Sequence, residues 1–270
     1  MTSPGSIVYV TGPHWTRDAS YHRALALARA AGSTLAVLSD TDPGGPRPPV
    51  IARALPSNTA LVIRTVTPLD EARSGLRVGG RAWMRTLPCS VWLLRPEGPR
   101  RSRVVVAAVE LREDAPESLD EAVLGTAVAL AAAEGANLVV THAWGLIGEP
   151  LLTCPTRGLG PVRARRVLAQ VHGEHRARLA GLLRSAGRVD MEAHAITGKG
   201  DALRVIRDTI RRVAADTLVL GYRGRSGVWG ALRGNLAESF LGTPGLSVLT
   251  VRPDQAAYLA ASSPHPATNE

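Results

Sequence analysis

The 270-residue chain has only two cysteines, one lysine, one phenylalanine and no long apolar segment. Cys89 and Cys154 lie far apart, without a Cys-x-x-Cys pair or a histidine at metal-ligand spacing, so neither a disulfide framework nor a zinc site is indicated. No apolar run approaches the roughly 20 residues that span a bilayer. The amino terminus lacks the basic and apolar segments of a secretory signal. We therefore expect a cytoplasmic protein.

The chain is basic, with 32 lysine and arginine residues against 23 acidic ones and a formal charge of +9. Nucleic-acid binding would normally combine such charge with clustered cations and exposed aromatic side chains. Aromatic residues make up 4% of the chain, and the single small arginine cluster, at 100–103, falls in a linker-like segment. A solvated basic surface is the more ordinary interpretation, and we do not expect nucleic acid as a partner.

The second half alternates strand-like and helix-like patterns. Five strands are predicted here, at 104–109, 137–144, 189–196, 217–220 and 246–251. Helices are predicted between them at 116–134, 162–185, 201–213 and 235–241. Strands that alternate with helices are typical of a doubly wound α/β sheet, because each crossover lays a helix against one face of a mainly parallel sheet.

The first half repeats this pattern in a shortened form. A strand at 6–10, a helix at 19–31 and a strand at 33–38 match the first three elements of the second half. The closing segments 87–96 and 243–253 also match, and both end in Arg-Pro. This similarity indicates an internal duplication. Because far fewer residues separate these elements in the first copy, we expect it to lack the long central helix and its strand.

The Pro-, Gly- and Arg-rich segment 94–103 marks the boundary between the two copies. The sequence therefore predicts two doubly wound, mainly parallel α/β domains. The shortened, degenerate domain occupies 1–97, and the five-stranded domain occupies 103–253. The residues 254–270 have no periodicity and are predicted to form a disordered tail.

A glycine-rich loop follows the predicted strand 217–220. It contains Gly221, Gly224 and Gly234, and it leads into a helix that begins near Asn235. Glycine lets backbone N–H groups turn toward an anion, and the start of a helix adds partial positive charge. A strand, a glycine loop and a helix in this order are typical of a phosphate-binding segment.

The spacing Gly-x-x-Gly, nine residues, then Gly-Asn over 221–235, followed by a helix and the strand 248–253, resembles the universal stress protein family in a tandem, two-domain form. The family pattern has Ser or Thr where this chain has Asn235. The resemblance covers 103–253 throughout and 5–96 weakly, since the first copy lacks the Gly-x-x-Gly start. It implies that the first copy has lost any nucleotide site.

The resemblance implies that the second domain binds ATP or a related adenine nucleotide, with Mg²⁺ as a companion ion, at the carboxyl ends of its strands. The matching positions are Gly221, Gly224, Gly234, Asn235, Glu110 and Ala143. The glycines would bring backbone amides to the phosphates, and Ala143 would offer backbone groups to adenine. Glu110 stands where the family has Asp. Arg223, inside the loop, carries a guanidinium that suits phosphate oxygens.

Other functions stay open at this stage. A nucleotide-free protein-interaction module of the same fold would keep the glycines for turn geometry alone. A weak ATP hydrolase would usually need a Mg²⁺-holding carboxylate and a group that orients the attacking water, and Glu110 is the only obvious acidic candidate. No catalytic residue is assigned. No ligand converges on the histidines at 172, 175 and 194, so no metal site is indicated.

The resemblance also implies that the last strands of the two domains pair antiparallel. Here Val91–Arg95 and Val248–Arg252 would pair within one chain, which would remove two exposed sheet edges. We therefore expect an intramolecular pseudo-dimer, with a homodimer as the alternative.

Overall fold

A computed structural model describes residues 5–12, 16–39, 47–66, 80–96, 103–111, 117–146, 148–152, 154, 158–222 and 236–252. The segment 223–235, which holds most of the predicted glycine loop, and the predicted tail lie outside the described residues.

Nine strands within the described ranges form one sheet. They are Ser6–Thr11 (β1), Leu35–Ser39 (β2), Thr59–Thr65 (β3), Ser90–Leu94 (β4), Val104–Val109 (β5), Asn137–Trp144 (β6), Ala195–Lys199 (β7), Thr217–Gly221 (β8) and Ser247–Val251 (β9). The helices are Ala19–Ala30 (α1), Pro48–Ala54 (α2), 80–86 (α3), Glu117–Glu134 (α4), Glu149–Leu152 (α5), Pro161–Ser185 (α6), Ala202–Val213 (α7) and Leu236–Phe240 (α8).

The strand order is β2-β1-β3-β4-β9-β8-β5-β6-β7, and every described pairing is parallel except that of β4 with β9. The second copy therefore has the order β7-β6-β5-β8-β9, and the first has the same order without a described counterpart of β7. This is the mainly parallel, doubly wound α/β fold that the sequence predicts. Two apolar clusters, one on each face of the sheet, form the core.

Two strands differ from the sequence prediction. The predicted strand at 189–196 is wrong, because Val189–His194 forms a 3-10 helix and β7 begins only at Ala195. Met191 is buried between α4 and α6, and its N–H donates to the Arg188 carbonyl, so this segment turns the chain back toward the sheet. The strand β3 was not predicted. Its residues 60–63 are all apolar, without alternating polar residues, which is typical of a parallel strand that is buried on both faces.

The antiparallel pairing of β4 with β9 joins the two copies, as the resemblance implies. Trp92 pairs with Leu249 at its centre, and the flanking pairs are Val91 with Thr250 and Leu93 with Val248. The Thr250 hydroxyl also donates to the Val91 carbonyl at 3.1 Å. The last strands of the two half-sheets thus protect each other's backbone edges.

We refer to the pairing of β4 with β9 as the seam. The Arg-Pro segments that follow these two strands make matching contacts across it. The Arg95 backbone N–H donates to Ser247 Oγ at 3.1 Å, and the Arg252 N–H donates to Ser90 Oγ at 3.2 Å. These reciprocal bonds give the seam an approximate two-fold symmetry that follows from the duplication.

The side chains of Arg95 and Arg252 also make reciprocal contacts between the two copies. Arg95 donates to the Leu241 carbonyl at the end of α8 (3.3 Å), and Arg252 donates to the Met84 carbonyl in the last turn of α3 (2.9 Å). Carbonyls at a helix carboxyl terminus lack intrahelical partners and carry partial negative charge, so a guanidinium is stabilising there. Each copy therefore caps a helix of the other.

A buried ion pair links the copies on one face of the sheet, where α1 packs against α4. Arg23 donates to Glu134 through Nε at 2.5 Å and through Nη2 at 3.2 Å, and Arg103 lies 3.3 Å from the same carboxylate. The side chains of Arg23 and Glu134 are only 9% and 2% exposed. The Arg23 guanidinium also lies over the Trp92 ring, 5.3 Å from its centroid.

A second ion pair links the copies on the opposite face, where α3 packs against α8. Arg85 makes two bonds of 2.7 Å to the Glu238 carboxylate, and Arg81 lies 3.2 Å from it. Gly80 permits this close approach, because a Cβ there would lie 3.0 Å from side-chain atoms of Leu241 and Leu93.

In the part of the chain that the structure describes, no helix is both long and apolar enough to cross a bilayer.

We predict that Glu134→Gln lowers the free energy of unfolding by about 3 to 5 kcal/mol, because it leaves the buried Arg23 without a charged partner. Urea denaturation followed by circular dichroism measures this change. Glu192→Gln is the matched control: the pair of Glu192 with Arg184 is mostly exposed, and its loss should cost less than about 1 kcal/mol. Equal effects of the two substitutions would contradict a structural role for the Arg23–Glu134 pair.

Because β4 and β9 already cover each other, we predict that the chain is monomeric, with a mass near 28.5 kDa. Light scattering coupled to size-exclusion chromatography measures this mass. A concentration-independent mass of twice that value would show that another surface carries a stable homodimer.

Candidate functional site

The carboxyl ends of β5 and β8 meet at the point where the second copy reverses its strand order. Their register pairs Ala108 with Leu220, so Glu110 and Gly221 lie at neighbouring strand ends. The chain leaves β5 toward α4 on one face of the sheet, whereas α7 and α8 pack on the other face. Such a switch point opens a crevice at the carboxyl ends of the strands, where open α/β sheets bind ligands.

The turn after β5 is held by Asp120 of α4. The Asp120 carboxylate accepts the backbone N–H groups of Glu110 and Leu111, each at 2.9 Å. Leu111 adopts a left-handed conformation, with φ of 51°. The Glu110 side chain is exposed at the edge of the sheet. Asp120 is a supporting residue that the sequence analysis missed, because nothing in its spacing indicates that it bonds back to this turn.

Ala143 lies at the same edge, on the neighbouring strand β6. Its register partner on β7 is Gly198, and the preceding pair across β5 and β6 is Val109 with His142. Glu110, Ala143 and Gly198 therefore follow one another across three adjacent strands. Ala143 has only a methyl group and is half-buried, and a Cβ at Gly198 would lie 2.5 Å from Val205 of α7. We refer to the edge formed by Ala143 and Gly198, beside Glu110, as the shelf.

The glycine loop begins at Gly221, and its first residues are firmly held. A Cβ at Gly221 would lie 2.8 Å from Leu119 Cδ2, so packing against α4 already favours glycine at this position. The buried Tyr222 donates its backbone N–H to the Val251 carbonyl at 2.8 Å, and the Arg252 guanidinium lies 4.8 Å from its ring centroid. The start of the loop is thus tied to the seam between the copies.

The structure brings Glu110, Ala143 and Gly221 to one edge of the sheet. The other predicted ligand-binding residues lie outside the described residues: Arg223, Gly224, Gly234 and Asn235. The spatial relation between this second group and the edge therefore stays a prediction.

A pair of histidines lies behind this edge, on the face that carries α4 and α6. His142 Nδ1 lies 3.1 Å from the Val109 carbonyl, and its Nε2 lies 2.9 Å from Nδ1 of His175. His142 is 1% exposed, and this burial lowers its pKa from the ordinary value. The sequence analysis considered His175 only for metal binding, and the 33 residues that separate the two histidines gave no signal of their contact.

The described side chains offer few groups for covalent or metal chemistry. No cluster of three or more His, Cys, Asp or Glu side chains within the described ranges is arranged to hold a metal ion. Cys89 is a buried free thiol, and burial raises its pKa to about 11, which keeps it protonated and unreactive at neutral pH.

Comparison with known proteins agrees with this architecture. The model of the universal stress protein family matches residues 102–252. A protein of unknown function from Pseudomonas aeruginosa PAO1 has a similar structure, with a TM-score of 0.61 and 20% identity over 95% of this chain and 85% of that chain. A protein from Pseudomonas aeruginosa UCBPP-PA14 described as a universal stress protein has the same TM-score and identity, over 96% of this chain and 97% of that chain.

No curated protein matches the chain in a sequence comparison. The two structural likenesses extend over both copies and show that this fold recurs in other proteins. The family match covers more than half of the chain and includes both Glu110 and the glycine loop. The chain therefore belongs to the universal stress protein family.

Proposed function

We propose that this stress-response protein binds an adenine nucleotide, with ATP as the preferred ligand, at the carboxyl edge of β5, β6 and β8. The nucleotide acts as a regulatory ligand in a cytoplasmic protein. The observation that carries this proposal is the convergence of Glu110, Ala143 and Gly221 at the switch point of the second copy. The first copy would serve as a permanent partner that holds the sheet.

The shelf fits the nucleoside half of such a ligand. The small, half-buried Ala143 would leave room for a planar base at this edge, and neighbouring backbone groups could bond the base. The exposed Glu110 carboxylate accepts hydrogen bonds, so it suits an exocyclic amino group or ribose hydroxyls. Because the Glu110 backbone N–H donates to Asp120, the main chain that carries this carboxylate is fixed.

The phosphates would extend toward the glycine loop that starts at Gly221. Backbone N–H groups of Gly224 and Gly234 would meet them, together with the Asn235 amide and the Arg223 guanidinium. Mg²⁺ would accompany the phosphates, where it neutralises charge. None of these groups is a nucleophile or a general base, which favours ligand binding over ATP hydrolysis.

One observation favours the alternative of a nucleotide-free interaction module. Gly221 is explained by its contact with Leu119, without any ligand. If the other loop glycines also serve only packing and turns, the family fold would act through its surface alone. Titration with nucleotides separates the two functions.

We predict that calorimetric titration detects binding of ATP, and that Gly224→Asp weakens it by at least about tenfold, because a carboxylate would face the phosphates. Gly173→Asp is the matched control, since Gly173 lies on α6 with open space around its Cβ position. Absence of heat with ATP, ADP and AMP would favour the interaction module.

We predict that Glu110→Ala weakens ATP and adenosine by the same factor, about tenfold, because the carboxylate would contact the nucleoside. Glu121→Ala, an exposed carboxylate on α4, should leave both affinities unchanged. A loss for ATP alone would place Glu110 beside the phosphates or their metal ion, contrary to the proposed orientation.

A further inference from the structure

Four aromatic rings connect β6 to the long helix α6. His142 of β6 bonds His175 of α6, and one helical turn earlier His172 stacks on Trp144, with ring centroids 4.7 Å apart and planes inclined by 12°. We refer to His142, Trp144, His172 and His175 as the ring cluster. It lies on the face of β6 opposite Ala143, so it is separate from the proposed nucleotide shelf.

The proton positions in this cluster follow from its bonding partners. A carbonyl oxygen can only accept, so His142 Nδ1 donates to Val109. Neutral His142 then accepts through Nε2, and His175 donates to it through Nδ1. This bond survives one added proton on His175, which still donates from Nδ1. A further proton on His142 Nε2 would place two N–H groups opposite each other and break the bond.

The amino-terminal half of α6 depends on this contact. The buried residues of α6 are Ala164, Leu179, Leu182 and Leu183, so three of the four lie beyond His175. Towards the amino terminus, the ring stack and the bond between His172 Nε2 and Thr197 Oγ1 at 3.1 Å supply much of the attachment. A segment with few buried apolar contacts opens at a low free-energy cost.

The same histidine also ties the ends of β5 and β6 together. Val109, which accepts from His142, immediately precedes Glu110, and His142 immediately precedes Ala143. A shift of the His142 ring would therefore move Glu110 and Ala143, the two residues proposed to contact the nucleoside. His142 would act through them, as a positioning residue.

We propose that the bond between His142 and His175 is an acid-sensitive clamp that holds the amino-terminal half of α6 against the sheet and positions Glu110 and Ala143. The effect on Glu110 and Ala143 rests on the proposed nucleotide function. The docking of α6 does not depend on that function, and it can be measured without a ligand.

The charges that face His142 from neighbouring elements set the direction of its titration. Burial has the largest effect and lowers the His142 pKa, and the positive charges of His175 and Arg178 on α6 lower it further. The bond to Val109 and the negative charge of Asp120 on α4 oppose this decrease. The net result is a pKa below the ordinary 6.5, so His142 is neutral in the docked state at neutral pH.

Two charged groups flank the rest of the ring cluster. Lys199 of β7 lies 6.0 Å from the Trp144 ring centroid, and its ammonium bonds the Glu149 carboxylate of α5. The groups that shift the His142 pKa are Val109, His175, Asp120 and Arg178, so His142 is taken as the titrating centre of the clamp.

The direction of the pH effect follows from linkage. The docked state binds fewer protons than the open state, in which His142 regains its ordinary pKa of about 6.5. Docking is therefore fully stable above this pH and weakens as the pH falls below it. The decrease is larger the further the docked pKa of His142 lies below its ordinary value, and one pH unit below 6.5 it reaches at most about tenfold.

Hydrogen exchange measured by mass spectrometry tests the clamp in the full chain. After correction for the intrinsic pH dependence of exchange, the amides of 161–175 should lose protection between pH 7.5 and pH 5.5 in the wild type, by up to about tenfold. His142→Gln should abolish this loss, because an amide keeps hydrogen-bonding capacity without titrating. His194→Gln, an exposed histidine beyond α6, should behave as the wild type.

His175→Gln provides a second variant if His142→Gln does not fold. Its amide can offer either a donor or an acceptor to His142, so protonation of His142 would no longer be opposed. Protection that stays constant in the wild type, or that falls equally in the wild type and the glutamine variants, would overturn the clamp.

Titration with adenosine tests the positioning role, because adenosine does not change its charge in this pH range. Its affinity should fall between pH 7.5 and pH 5.5 in the wild type and stay nearly constant in His142→Gln. The same pH trend in both proteins would overturn the positioning role. If adenosine and ATP bind at neither pH, the proposed function fails and the positioning role fails with it, whereas the exchange experiment still decides the clamp.

Discussion

The antiparallel contact between β4 and β9 is the interaction on which the rest of the structure depends. It turns two parallel half-sheets into one sheet and covers a backbone edge of each copy. Arg95 and Arg252 each cap a helix of the opposite copy, and ion pairs join the copies on both faces, buried in the case of Arg23 with Glu134. Because one partner of each contact comes from each copy, the two copies stabilise each other, and separating them would leave the buried charges of Arg23 and Glu134 unpaired.

This seam also explains how one copy can degenerate. The first copy keeps the strands and arginines that build the contact with the second, while its described part has no counterpart of α6 and β7. Since β4 and β9 run in opposite directions, the carboxyl edges of the two copies lie on opposite sides of the joined sheet. The proposed nucleotide shelf therefore belongs to the second copy alone, and α6 and its histidines are additions to that copy.

Much of the fold was predictable because buried parallel strands have a strong signal. The apolar runs of β5 and β6 gave their bounds without error, and Asp201 caps α7 as its position before that helix indicates. The segment Val189–His194 was assigned wrongly, because its alternating apolar residues fit a strand as well as the turn that buries Met191. For the site, glycine spacing indicated the location. The roles of Asp120, Leu119 and His142 could not be predicted, because each depends on a contact between residues distant in sequence.

The central claim is that the second copy binds an adenine nucleotide at the carboxyl ends of β5, β6 and β8. A crystal structure of the full chain grown with ATP and Mg²⁺ tests it most directly. The account predicts adenine density on the shelf of Ala143 and Gly198, with Glu110 at its side and the phosphates directed toward Gly224 and Gly234. Nucleotide density at the carboxyl edge of the first copy, or an empty shelf at saturating ATP, would contradict it.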